Sequence, residues 1–293
     1  MKPDDHEKSG IKSNGPEPKV SFVTVCFQTP HLIRLLLKGI EAANFKFPFE
    51  FILVNNDPND QETNIMVQEK YPWVTLITAP KNLGFGAGNN LGLRRIRGSY
   101  AMLTNPDLVF FPGEMEKLVE FLDTHPDVGL TGPALHNPDG TRQYSCYRFP
   151  SPIYPIYRRT FLGKTPWGKR ANSHHLIKDQ VSKNQPIEVD ALMASAILLR
   201  KKVLEDIGFF DQKFFMYMEE FDFCRRAWKF NWRVVYYPYS KLVHYHNRDS
   251  RITWPWQLFT HKLARAHIRS AVYYFWKYRG TKNPHNNIRQ VLE

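Results

Sequence analysis

Between residues 20 and 110 the chain alternates short β-branched, apolar runs with amphipathic or glycine-rich stretches, and this alternation restricts the fold more than any other feature. VSFVTVCF (Val20 to Phe27) has the length and composition of a strand. Pro30 opens a helical pattern, PHLIRLLLKGIEAA, with apolar positions at Leu32, Leu35, Leu36 and Ile40. FEFILVNND is a second strand, ending in Asn55, Asn56 and Asp57, and a helix follows it. VTLITAP reads as a third strand, NLGFGAGNNLGLRRI as a glycine-rich turn running into a helix, and SYAMLTNPD as a fourth strand. Strands separated by helices predict an α/β fold with a mostly parallel central sheet flanked by helices. Ligands of such sheets gather beyond the C-terminal strand ends. Gln28, Asn55 to Asp57 and Asn105 to Asp107 are expected to meet there.

The tripeptide Asn-Pro-Asp occurs twice. Asn137-Pro138-Asp139 precedes Gly140 and reads as ordinary turn chemistry. Asn105-Pro106-Asp107 follows a buried strand, where a carboxylate is available to a divalent cation; Mg²⁺ and Mn²⁺ take oxygen ligands, and substrate phosphates can complete the shell. Turn capping is the competing reading for Asp107.

The glycine segment fails the dinucleotide fingerprint, because the third glycine position falls on Asn89, and close strand-to-helix packing explains it equally well. Gly163-Lys164-Thr165 is not a P-loop, since Arg158 stands where the first glycine belongs.

Farther along, residues 141 to 186 are rich in Pro, Tyr and Arg and are expected to form a partly ordered loop. VDALMASAILLRKKVLEDIGFFD resumes as a strand and a short helix. MYMEEFDFCRRAWKFNW reads as an amphipathic helix with Phe221, Cys224 and Trp228 on one face. Its start carries Glu219, Glu220 and Asp222. Acids there complement the helix dipole, but between FFMY and CRRAW they are also expected to be partly buried, where a carboxylate gains the raised pKa of a general base. RVVYYP and KLVHYH are further extended pieces, and His244 and His246 share a strand face.

Three cysteines without Cys-x-x-Cys spacing argue against a disulfide framework or a zinc knuckle. No run approaches the roughly 20 apolar residues of a membrane span. Residues 1–18 are polar and are expected to be a disordered leader. The formal net charge of +12 calls for an anionic partner. From Ser250 to Leu292 there are eight Lys and Arg and no Asp or Glu. That basic, aromatic C-terminal extension, residues 251–293, has two open readings: a helix on an anionic membrane surface, or a core-packing helix with a solvated basic face. No nucleic-acid-binding module is recognisable, and nucleic acid is not expected as a partner.

Taken together and in order, VTVCFQTP, ILVNND, NLGFGAGNNLGLR, LTNPD, GPALHNPDGTRQYSCYRFPSP, VDALMASAILLRKK, GFFDQKFFMYMEEFDFCRRAWKFNWRVVYYP and LVHYH resemble the inverting family 2 glycosyltransferases, with most similarity to rhamnosyltransferase-like members. The resemblance implies a Rossmann-like GT-A fold over residues 19–250. It also implies a site for a nucleotide-diphosphate sugar built from Gln28, Asn55, Asn56, Gly86, Asn90, Asn105, Asp107 and Asp190. Asp107 matches the last position of a D-x-D-type motif, and His244 matches a histidine that completes the shell of Mg²⁺ or Mn²⁺. Glu220 matches the catalytic base, with Glu219 and Asp222 as supporting acids. The sequence departs from the family at Asn55, where many relatives have Asp, and in VDALMAS, where Ala191, Ala194 and Ser195 replace Trp, Gly and Ala. At Glu220 the family more often has Asp.

The function implied is inverting transfer of a sugar, rhamnose first among candidates, to a glycan or polyprenyl-linked acceptor in cell-surface polysaccharide synthesis. A cytoplasmic location goes with it, peripheral on the inner face of the plasma membrane if the acceptor is lipid-linked. A catalytically silent nucleotide- or sugar-binding scaffold of a glycan assembly complex is the alternative.

Overall fold

The computed structural model describes residues 17–154, 161–245 and 262–285. The first half follows the predicted alternation: β1 (Val20–Cys26), α1 (Pro30–Ala43), β2 (Phe49–Asn55), α2 (Gln61–Lys70), β3 (Val74–Thr78), α3 (Phe85–Leu93) and β4 (Tyr100–Thr104). β5 (Leu108–Val109), α4 (Glu114–Thr124) and β6 (Val128–His136) come next, and then β7 (Arg142–Gln143) and β8 (Cys146–Tyr147). α5 (Pro166–His175), α6 (Lys178–Val181), β9 (Ile187–Glu188), β10 (Ala191–Leu192), β11 (Ala196–Arg200) and α7 (Lys201–Ile207) lead to α8 (Glu219–Lys229), β12 (Arg233–His244) and α9 (Lys262–Lys277).

The main sheet runs β3-β2-β1-β4-β11-β6-β12-β5, with β7 beside β6 and β9 beside β12. β3, β2, β1 and β4 are mutually parallel, as are β6 and β12. β11 enters antiparallel between β4 and β6, pairing Ala196 with Thr104. The beginning of β11 therefore lies at the edge where β4 ends.

The strands read as continuous apolar runs because both sheet faces are covered. On one face Phe22, Phe51, Leu53, Met102 and Leu198 pack with Ile33, Leu36 and Leu37 of α1, Met66 of α2 and Leu118 of α4. On the other, Val23, Ile52, Leu103 and Ile197 pack with Leu93 of α3, Phe223 and Trp228 of α8, and Tyr274 of α9. Alternate residues of each strand thus serve opposite layers.

Two expectations change. Residues 141–186 contain β7, β8, α5 and α6 among the described residues, more order than the partly ordered loop expected, because their aromatic and arginine side chains find partners. Tyr147 and Tyr154 pack on the His175 ring at 5.4 and 4.0 Å, and Arg142 Nη1 donates to the Val181 carbonyl at 2.7 Å. RVVYYP and KLVH form one strand, β12, with a register irregularity between Tyr237 and Lys241. The leader up to residue 16, His246 and the WPWQLF segment lie outside the described residues.

Candidate active site

Asp107 and His244 are brought together by strand pairing. His244 stands opposite Leu108 in the β12–β5 ladder, and Tyr245 N–H donates to the Asp107 carbonyl at 2.9 Å. His244 Nε2 then lies 3.3 Å from Asp107 Oδ1. Gln143 decides which ring nitrogen carries the proton. Its amide nitrogen donates to Asn137 Oδ1 at 2.6 Å and to the His244 carbonyl at 2.7 Å. Its oxygen therefore faces His244 Nδ1, at 2.9 Å. With the proton on Nδ1, the Nε2 lone pair is directed at a carboxylate oxygen. Asp107 Oδ1 is buried and accepts no hydrogen bond among the described residues. Two electron-rich atoms face each other, an arrangement that fits a bound cation. The second Asn-Pro-Asp is the turn expected of it: Asp139 Oδ1 accepts from Thr141 N and Oγ1 at 2.9 and 2.6 Å.

The acids of α8 reach the same sheet edge by another route. α8 begins after Tyr217 and Met218, two non-glycine residues with φ of +70° and +72°, and such backbone persists only where its surroundings fix it. α9 supplies that fixing: Ser270 Oγ donates to the Met216 carbonyl at 2.9 Å, and the rings of His267 and Tyr217 stack at 4.5 Å. Asp222 is fully buried and tied to the same helix end. It accepts from Arg226 Nε at 2.9 Å, Lys277 Nζ at 2.5 Å and Tyr278 OH at 2.8 Å. Lys277 also bonds Asp211 at 2.7 Å, so one ammonium joins both ends of the 211–222 segment.

Glu219 is buried, with Oε2 lacking a hydrogen bond among the described residues. Burial, reinforced by the neighbouring Glu220 charge, holds its carboxyl well above the usual range. Glu220, half-buried, lies beside it at the first turn.

A raised folded-state value means that ionising Glu219 costs stability. The protonated carboxyl favours the fold fully below the unfolded value, and that contribution is lost as pH rises toward the folded one. Glu219→Gln is therefore expected to match the wild-type melting temperature near pH 4.5. It should exceed it by a margin that grows as pH rises toward 8, read by thermal denaturation across pH. A constant offset at every pH would refute this.

The asparagines at the strand ends are committed to the protein's own backbone. Asn55 Nδ2 donates to the Asp60 carbonyl and to Asn64 Oδ1, each at 2.9 Å. Asn56 accepts from Leu83 N at 3.0 Å, and Asn90 bonds both the N–H and the carbonyl of Phe210, at 3.0 and 2.9 Å. Gln28 Nε2 donates to Asp57 Oδ2 at 2.7 Å. Asn105 holds the β4–β11 corner through its N–H to the Ser195 carbonyl at 3.1 Å.

The glycine-rich turn serves close approach. A Cβ on Gly84 would stand 2.0 Å from the Phe215 carbonyl oxygen, and one on Gly92 2.5 Å from Val23 Cγ1. A Cβ on Gly86 would sit 3.1 Å from Phe210 Cβ and 3.7 Å from Glu219 Cβ, which locates this turn beside the α8 acids. Asp190 accepts from Phe149 N at 2.8 Å and pairs with His285 Nδ1 at 2.6 Å. Burial raises the Asp190 carboxyl, but His285 and the Phe149 N–H outweigh it and hold the group below its ordinary value.

Sequence reading missed Gln143, Lys277, Tyr278 and His285. Gln143 lay inside the GTRQYSCYRF motif, the one signal that pointed to it.

Residues 21–208 match the profile described as glycosyl transferase family 2, and residues 156–276 match that of glycosyl transferase family group 2. N-acetylglucosaminyl-diphospho-decaprenol L-rhamnosyltransferase of Mycobacterium tuberculosis is 28% identical over 232 residues, which is 74% of this chain and 72% of that protein. Rhamnosyltransferase WbbL of Escherichia coli is 24% identical over 217 residues, 68% and 73% of the two chains. Among solved structures, the mannosyltransferase PcManGT from Pyrobaculum calidifontis, in complex with GDP-Man and Mn²⁺, superposes with a TM-score of 0.53 at 16% identity over 94% of this chain and 80% of its own. GalNAc-T7 with UDP, GalNAc and Mn²⁺ gives 0.54 at 11% identity; 80% of this chain aligns, spanning only 45% of that one. These likenesses establish the GT-A fold, and the match over residues 21–208 establishes that the chain belongs to glycosyl transferase family 2.

Proposed function

We propose that this glycosyltransferase, with residues 19–250 as its transferase domain, moves rhamnose from a dTDP-linked donor to a lipid-linked glycan at the cytoplasmic face of a membrane, with inversion at the anomeric carbon. UDP-sugars are the second donor class. The observation that carries the reading is the 3.3 Å approach of His244 Nε2 to Asp107 Oδ1, with Gln143 holding the proton on the other nitrogen. The rhamnosyltransferase relatives support the sugar, and the lipid-linked substrate named for the mycobacterial relative supports the acceptor.

Asp107 and His244 would hold Mg²⁺ or Mn²⁺ together with the donor diphosphate. A divalent cation, when bound there, offsets the charge that develops on the departing nucleoside diphosphate. Glu220 takes the proton of the acceptor hydroxyl as attack proceeds. Glu219, whose burial and neighbouring Glu220 charge favour its protonated form, stands beside it in the first turn. Asp222 acts through position, fastening α8 to α9. Gln28 and the turn around Gly86 border the nucleotide, while Asn55, Asn56, Asn90 and Asn105 shape the loops that line it. Asp190 fastens the start of β10 to the Phe149 N–H and His285.

Thermal stabilisation by dTDP, UDP and GDP, each with and without Mn²⁺ or Mg²⁺, tests the reading. Saturation at about 100 times the dissociation constant is worth about 2.7 kcal/mol, or roughly 5–10 °C for a domain of this size. The expected result is a cation-dependent rise with dTDP ahead of the others. No rise with any of the three nucleotides in either cation would sink the proposal.

A further inference from the structure

α9 presents two unlike faces. Ala264, Ser270, Tyr274 and Tyr278 are buried against the transferase core. Opposite them, Ile268 is 39% exposed, Val272 64% and Trp276 59%. At 100° per residue these three fall within about 100° of arc, together with the exposed Arg265 and Arg269. Arg279, one turn beyond Trp276 at the exposed helix end, lies with its guanidinium 4.9 Å above the indole ring. The face thus offers apolar side chains and fixed cations side by side, in a segment that carries no acid from Ser250 to Leu292.

We infer that this outer face of α9 docks the enzyme reversibly on an anionic bilayer surface. The inference builds on the reading above, in which the acceptor is lipid-linked. An indole, a valine and an isoleucine suit the boundary between headgroups and acyl chains, and arginines interleaved with them suit phosphate headgroups. Three apolar side chains are too few to anchor a protein alone, so the arginines are required and binding is salt-sensitive. A second copy of this chain is the weaker candidate occupant. A two-fold interface through the face would bring its three arginines against the same three of the partner.

The consequence for catalysis is geometric. The inner side of the docked helix carries Ser270, Lys277 and Tyr278, the groups that hold the start of α8. The α8 acids are therefore braced directly against the element that meets the lipid surface.

The test is co-sedimentation of the full chain with phosphatidylcholine vesicles, with and without phosphatidylglycerol. Wild type is expected to sediment with the phosphatidylglycerol vesicles and to be released by high salt. Val272→Ser with Trp276→Ser should weaken that partition about tenfold or more. Arg265→Gln, Arg269→Gln and Arg279→Gln together should weaken it about a hundredfold, some fivefold for each charge. Wild type that sediments with neither vesicle, variants that partition as wild type does, or a wild-type dimer that the variants convert to monomer would each overturn the inference. Nucleotide-dependent stabilisation, measured on the same samples, separates the outcomes. Its retention without vesicle binding sinks the docking face alone, and vesicle binding without it sinks the transfer reading alone.

Discussion

Glu220→Gln is expected to lower glycosyl transfer by roughly a hundredfold to ten-thousandfold, the range supplied by a positioned general base. Glutamine keeps the size and much of the hydrogen bonding of glutamate but cannot accept the proton of the acceptor hydroxyl. The loss should fall on kcat, since the base acts on the acceptor proton in the transition state rather than on donor binding. Thermal stabilisation by dTDP should be unchanged. Glu220→Asp should retain part of the activity, because the carboxylate survives and only its reach shortens by one methylene. Measured with a dTDP-rhamnose donor, a glutamine variant that turns over as fast as wild type would remove Glu220 from the mechanism. A wild-type protein that binds nucleotide yet transfers nothing to any acceptor would favour a silent scaffold.

The second large effect is expected from Asp107→Asn: loss of the cation-dependent part of nucleotide stabilisation and a fall in transfer of at least about a hundredfold, as expected when a metal-held charge clamp is weakened. The substitution is chosen to spare the fold. Asparagine suits the same turn, and the tie to β12 runs through the backbone carbonyl of residue 107, not its side chain. The introduced amide removes the negative charge at Asp107 Oδ1 and would place an N–H donor toward His244 Nε2, 3.3 Å away in the wild type, in the position the cation is expected to share. Gln143→Leu should act one step removed, raising the Mn²⁺ concentration needed for half-maximal stabilisation by about 10–100-fold, since it frees the imidazole to turn and to change tautomer. Stabilisation by dTDP that remains fully Mn²⁺-dependent in Asp107→Asn would place the cation elsewhere.

Much of this molecule was legible without coordinates because its strands are short and both of their faces are covered, so most strand residues are apolar and the turns between are polar. Four parallel strands and the helices between them follow from that pattern alone. The amphipathic start of α8 was likewise readable, since Phe221, Cys224 and Trp228 recur at helical spacing and all are buried. The stretch from 141 to 186 was not, because its order comes from contacts such as Arg142 with Val181, whose local sequence carries no period.

Chemistry was legible as residue type and less so as role. Asn55 and Asn56 at the end of β2 and Asn90 in the glycine-rich segment read as ligand groups, and each also bonds the protein's own backbone, Asn90 to a residue 120 positions away. Asp222 read, like Glu219, as a supporting acid beside Glu220, and what sets it apart is that Arg226, Lys277 and Tyr278 all converge on it. Residue pattern was enough for the alternating layers and for the kinds of side chain offered at the C-terminal strand ends. Which of those side chains face one another required the folded chain: Asp107, Gln143 and His244 meet because β5, β7 and β12 border one another or β6, and Asp222 is fastened because the C-terminal end of α9 reaches it. Such pairings depend on backbone register and packing across a hundred residues, which leave no mark on local composition.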